Sequence, residues 1–161
     1  MVEFALLLPV LLILVLAVIE FCTLVFGLSS ARYAAGEGTR AASEAGSNAS
    51  ADSLAVAAIR ATGLGSTRVV SVSEVDIYKV DLVNGNLQQD SVMINRYQLD
   101  GTPIGVPPWS PSTRSTSASR PEYIGVTIRY TYNWKDGLLG SFLQPLNLNS
   151  ISWGRLEPAN F

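Results

Sequence analysis

Histidine is absent from the 161 residues, and cysteine occurs once, at Cys22. The first absence removes the commonest general base and the commonest protein metal ligand. The second excludes an intrachain disulfide. Charge is also scarce. A formal net charge of −2 gives no basic surface for nucleic acid and no strongly charged partner. The sequence has no cysteine pair, no phosphate-binding glycine loop and no cluster at metal-ligand spacing. Its many serines have no base beside them. Glu74 with Asp76, and Arg155 with Glu157, are pairs that any solvated strand carries. No enzyme, no cofactor and no metal site is expected.

Basic residues are missing from the N-terminus as well: the first is Arg32. From Phe4 to Phe26 the only charge is Glu20, and almost every other residue is Leu, Val, Ile, Ala or Phe. At about 1.5 Å rise, Phe4 to Leu28 spans roughly 37 Å, enough to cross a hydrocarbon core of about 30 Å with some tilt. A signal peptide has an apolar region of about 7–15 residues behind a basic stretch. This run is longer and lacks the basic stretch, so it reads as a transmembrane anchor over residues 1–28. The positive-inside rule asks for Lys or Arg on the cytoplasmic side. Either a basic leader has been removed or the chain continues upstream. Both readings put the C-terminal part outside the cytoplasm. Cys22 reads as a buried, inert thiol in the apolar helix, with a cross-link to a neighbouring subunit as the minor alternative.

Residues 29–63 are rich in Ala, Gly and Ser, with balanced charge. Gly27, Ala31, Ala35, Gly38, Ala42 and Ala45 recur at spacings of three and four, one face of a helix. Small side chains let another surface approach closely. That surface is either the chain's own sheet or the helix of another subunit, and different arcs of the helix can serve both. Gly46 to Ser50 predicts a break. Asp52 or Ser50 can then cap a second helix, Ser53 to Ala61, which Gly63 stops.

The period then changes. Arg68 to Leu82 reads as a strand with a bulge near Ser73 and Glu74, Asn84-Gly85 as a tight turn, and Ser91 to Leu99 as a returning strand after a slack stretch. Gly101 to Pro121 holds five of the eight prolines, with Ser and Thr around Pro107, Pro108 and Trp109. It is expected to be an exposed, mobile loop, or else a segment that binds a partner or carries sugars. Ile124 to Trp134 alternates apolar and polar residues, the mark of a half-buried strand. Leu138 to Leu143 reads as a short helical turn or covering loop, and Leu148 to Leu156 as the last strand. The expected fold is α+β: a long N-terminal helix packed on a small antiparallel sheet of about four strands, the β domain taking residues 64–161.

Two carboxylates, Glu3 and Glu20, bracket the apolar run. Glu3 suits a helix N-terminus. An ionisable group within a membrane is costly and calls for a partner or a role. Glu20 either reaches water at the far interface or makes a polar contact to another subunit or partner helix.

The stretch from Val2, Glu3 and Phe4 to Pro9, with the apolar run ending in Ile19, Glu20 and Phe21, resembles the start of TadE-like proteins. So does the Ala-rich segment from Ala31 through Glu37, Gly38, Thr39 and Arg40 to Ala42. These are minor pilins, or pseudopilins, of tight-adherence (Tad) pili, in the type IV pilus superfamily. The resemblance implies a pilin-like fold and processing by a prepilin peptidase. It also implies a bacterial inner-membrane location with a single pass, possession of an extracytoplasmic domain, and partners among other pilin subunits, membrane lipid and the Tad assembly machinery. Glu3 would correspond to the glutamate near the mature N-terminus that neutralises a neighbour's free amine. In pilin-like proteins that residue is usually fifth, so this chain departs from the pattern at its start. Glu3, Pro9 and Glu20 become the assembly residues of an anchor that leaves lipid to pack against its neighbours. The sheet domain favours a minor subunit over a major one.

Overall fold

The computed structural model describes residues 2–66, 69–135 and 143–158, with side chains from residue 7 onward. One helix, α1 (Val2–Ala45), runs through both the apolar segment and the Ala-rich segment. Its 44 residues give a rod of about 66 Å. Gly36 and Gly38 do not break it, because the upper half is packed on both sides and tertiary contact outweighs propensity. Pro9 lies inside the helix and removes one backbone donor. Gly46, at φ 55, ends α1, and its N–H donates to the Ala42 carbonyl at 3.1 Å.

A second helix, α2 (Ala51–Ala61), follows. Ser50 stands at its N-cap, but its side chain makes no capping bond; Ser50 Oγ instead donates to Asn48 Oδ1 at 2.8 Å. Asp52 does not cap either. It lies in the first turn with its carboxylate buried toward the sheet. Gly63, at φ 77, follows the helix end as expected.

Four antiparallel strands form one open sheet in the order β2-β1-β3-β4. They are β1 (Val70–Val83), β2 (Asn86–Tyr97), β3 (Tyr123–Tyr132) and β4 (Leu146–Arg155). The α+β architecture expected from the sequence is the one observed. Asn84 (φ 52) and Gly85 (φ 79) turn the β1–β2 hairpin with two left-handed residues, the geometry that matches strand twist. The register between β1 and β3 slips between Val72 and Glu74, at the expected bulge. A second slip, between Tyr78 and Val80 of β1, was not foreseen. There β2 carries extra residues, and Asp90 Oδ1 accepts from the N–H groups of Val92 and Met93 at 2.7 and 3.3 Å. The stretch before it, expected to be slack, is paired strand from Asn86. The segment expected to cover the sheet between β3 and β4 lies largely outside the described residues.

One sheet face is buried under the helices. Ile124, Val126, Ile128, Tyr130 and Tyr132 alternate onto it from β3, and Val75 and Ile77 join from β1. Against them lies the small-residue stripe of α1: Gly27, Ala31, Ala35, Gly38, Ala42 and Ala45 are all buried. A methyl group contributes only about 0.8 kcal/mol on burial, against roughly 1.5–3 kcal/mol for a large apolar side chain. The stripe therefore matters chiefly for close approach. A Cβ on Gly38 would lie 2.6 Å from Ile59 Cγ1 of α2, and one on Gly27 would lie 3.2 Å from Val70. The stripe faces the chain's own sheet and second helix.

Candidate functional site at the helix–sheet junction

The lower part of α1 is bare. Bulky side chains from Leu7 to Ile19 stand exposed around it, Leu7 at 65% and Ile19 at 51%. This is a helix long and apolar enough to cross a membrane. The next residue differs: Glu20 is only 2% exposed, although Phe21 and Phe26 beyond it are exposed again.

Three elements build its surroundings. Tyr132, the last residue of β3, donates its hydroxyl to Glu20 Oε1 at 2.7 Å. Just beyond it, the Lys135 N–H donates to the same oxygen at 2.9 Å. Thr23, one turn along α1, donates its hydroxyl to the Glu20 carbonyl at 2.8 Å, and the same hydroxyl lies 2.8 Å from the Tyr132 oxygen. The Tyr132 ring meets Trp134 edge-on at 5.5 Å between centroids. Trp134 in turn donates Nε1–H to the Gln144 carbonyl at 2.8 Å. Each such hydrogen bond contributes about 0.5–1.5 kcal/mol net, and an unmade one leaves a buried polar group unsatisfied. Glu20 therefore fastens the end of the sheet to the helix at one level. Its partner is in the same chain, where the sequence reading offered water or another subunit.

A second buried carboxylate holds α2 and the long loop. Asp52 receives Asn95 Nδ2–H at 2.7 Å and the Tyr97 hydroxyl at 2.9 Å on Oδ2. Arg114 Nη2 sits 2.6 Å from Oδ1. The Arg114 guanidinium lies 4.1 Å from the Trp109 ring centroid, and Asn95 exchanges two hydrogen bonds with the Trp109 backbone, at 2.6 and 2.9 Å. Burial, and then the Asp52 charge, push the Tyr97 hydroxyl well above its ordinary range. The expectation of an exposed, mobile loop across 101–121 is therefore corrected at its centre. Trp109 is 5% exposed and belongs to the core, because Arg114 in the same loop is drawn inward by Asp52. Pro107 is half-buried and Pro108 exposed.

The structure does not bring the remaining sequence candidates to one place. The Glu3 side chain lies outside the described residues. Pro9 is exposed on the bare half of α1. Cys22, expected to be buried, is instead exposed at the junction, on the side of α1 that the sheet does not cover. Asp76, expected on a solvated strand, is buried and receives Arg129 Nε–H at 2.9 Å. Sequence reasoning missed Tyr132 and Lys135 as partners of Glu20, and Arg114 as partner of Asp52. Tyr132 is one apolar position in an alternating strand, and no spacing links it to a residue 112 positions earlier. An Arg set among prolines and serines, one of two in the loop with Arg120, was the available signal for Arg114.

Among the described residues no group of three His, Cys, Asp or Glu could hold a metal ion. The chemistry on offer is attachment and packing.

A family model described as TadE-like protein matches residues 1–40. The N-terminal segment is TadE-like. TadE-like proteins are pilus-associated and structural in kind, and they work with other components of the Tad pilus system. No curated protein and no solved structure matches the chain. The matched stretch takes in the bare half of α1, Glu20 and the packed stripe as far as Gly38. It ends before α2, the sheet and the Pro-rich loop.

Proposed function

We propose that the chain is a minor pilin, or pseudopilin, of a Tad-type pilus, held in the bacterial inner membrane by the lower half of α1 with its sheet domain outside the cytoplasm. The observation that carries this reading is the change along one helix: bare and bulky up to Glu20, where a carboxylate first ties it to the domain, and packed through small residues from Gly27 upward. The bare half is matched to lipid while the subunit is stored. It is equally matched to the apolar helices of other subunits once assembly machinery moves it into a bundle. A prepilin peptidase would release its N-terminus, and Glu3 would then neutralise the free amine of a neighbour. The folded domain suits an initiating, capping or surface-reading subunit.

Shearing pili from cells tests the reading: this chain is expected in the fibre fraction as well as in membranes. Glu3→Ala is expected to reduce pilus formation while leaving the protein in the membrane; unchanged pili would remove the role given to Glu3. A second reading is a membrane-tethered binding module that never enters a fibre. It is favoured by the outer part of the 101–121 loop, where Val106 is 92% exposed beside Pro108. Recovery of the chain in membranes alone, from cells that shed intact pili, would support it.

A further inference from the structure

We infer that the base of the sheet domain rests directly on the lipid headgroups, with Trp134 and Lys135 as its contact points. The inference rests on the membrane anchorage proposed above and adds an orientation to it. Glu3 and Glu20 bracket 16 residues without a charge, a length of about 24 Å. A hydrocarbon core is about 30 Å thick, and a carboxylate is costly inside it. The uncharged helix below Glu20 is thus no longer than the hydrocarbon it must cross. It leaves nothing over to lift the domain clear.

Glu20 is also the level at which the domain begins. Its carboxylate is held by Tyr132 and by the Lys135 N–H, so Lys135 and Trp134 lie at the height where helix meets hydrocarbon boundary. Both residue types favour that position. Indole rings settle at the membrane interface, and a lysine carries its charge among phosphates on a flexible apolar stem. The Lys135 side chain is exposed. Around it, apolar groups that a soluble surface would hide remain open: Phe21 at 65%, Phe26 at 67% and Leu143 at 42%. A crevice of about 320 Å³, lined by Cys22, Phe26, Gly27, Val69 and Lys135 among others, opens at the same place. The headgroup layer is roughly 5–8 Å deep on each side; it takes in Phe21 and Cys22 and ends just below the backbone of Phe26, about 9 Å above Glu20, whose side chain leans back toward the helix N-terminus.

The opposite end stands away from lipid. Gly27 packs beside Tyr132, whereas Thr39 and Ser43 lie beside Gly154, so α1 and β4 run side by side in the same direction. Tyr132 pairs with Leu146 and Gly125 with Trp153, which places Trp153 about 23 Å up the strand from the base.

Tryptophan quenching reads this orientation. The full-length chain is placed in phosphatidylcholine–phosphatidylglycerol vesicles whose phosphatidylcholine is brominated near the headgroup end of its acyl chains. Two single-tryptophan variants are compared, Trp134 alone (W109F with W153F) and Trp153 alone (W109F with W134F). Trp134 is expected to lose roughly half or more of its emission, and Trp153 almost none. Equal emission from Trp134 in brominated and plain vesicles, with the protein still sedimenting with them, would overturn the inference and leave the anchor reading standing. A chain that does not sediment with vesicles would overturn both. Because Trp109 is a core residue, a second measurement keeps all tryptophans: an environment-sensitive dye on Lys135→Cys or on Arg155→Cys, in a Cys22→Ser background. A lipid-like signal at 135 and an aqueous one at 155 is expected, and the reverse or an equal pair of signals would overturn it.

Discussion

The two halves of α1 share one backbone and solve opposite problems. Below Glu20 the described side chains of the helix are mostly Leu, Val and Ile, and these stand exposed; from Gly27 upward the face turned to the sheet and α2 carries Ala, Gly, Ser and Thr, and these are buried, while Phe21 and Phe26 between the two remain exposed. Hydrophobicity alone would place the two halves the other way round. Under the proposed anchorage, the lower half is bulky because a lipid surrounding is fluid and asks only for apolar area. The upper half is small because its surroundings are a fixed sheet and a fixed second helix, where a close approach decides the packing. Glu20 marks where the helix joins the domain, since its carboxylate takes two donors, one from the last residue of β3 and one just beyond it.

The comparison can be broken or sharpened by substitution. The largest effect is expected at Asp52, which secures α2 over the upper half. Asp52→Ala leaves the Arg114 charge buried without its partner and should cost about 3–5 kcal/mol in domain stability. Chemical denaturation of the detergent-solubilised chain measures this. Adding Arg114→Met should recover most of the loss, and failure to recover would mean that Asp52 acts mainly through Asn95 and Tyr97. Next, Gly38→Val drives side-chain atoms into Ile59 of α2, for an expected loss of about 1–3 kcal/mol. Leu11→Val, on the bare half, should change domain stability by less than about 0.5 kcal/mol. Equal effects at residues 38 and 11 would erase the distinction between the halves.

At the dividing point, Glu20→Ala strips the acceptor from the Tyr132 hydroxyl and the Lys135 N–H, a loss of about 1–3 kcal/mol. Glu20→Gln keeps an acceptor and should lose less. The smallest effect is expected far from α1. Burial, followed by the nearby Asp76 charge, raises the Glu74 carboxyl above its ordinary value. A raised carboxyl weakens the fold where it is ionised, and that penalty is relieved as pH falls through its folded value. Glu74→Gln should therefore stabilise slightly at neutral pH, and the gain should vanish on acidification. A gain that grows in acid would contradict this sign.

Much of the architecture was legible in the sequence because local signals carried it. The alternation from Ile124 to Tyr132, the Asn84-Gly85 turn, the bulge near Glu74 and the stop at Gly46 are each written in neighbouring residues. The stripe from Gly27 to Ala45 was legible as a packing face, though not what packed on it, since small residues permit close approach by any partner. The two buried carboxylates were the hardest to read. Glu20 depends on Tyr132 and Lys135, and Asp52 on Asn95, Tyr97 and Arg114, all distant in sequence. A titratable residue states a need for a partner without naming it. Trp109 shows the same limit from the other side: its prolines and serines announce a loop, and only Asp52 draws that loop into the core.

Labelling across the membrane tests the division of α1 most directly. In intact cells, with Cys22→Ser as background, Leu12→Cys and Ser29→Cys are each exposed to a membrane-impermeant maleimide. Ser29 is on the exposed side of the packed half and Leu12 is at 54% exposure on the bare half, so protein alone hides neither. The thiol at position 29 should react from outside, and the thiol at position 12 only after detergent removes the lipid. Reaction at position 12 in intact cells, or protection at position 29, would contradict a helix divided at Glu20.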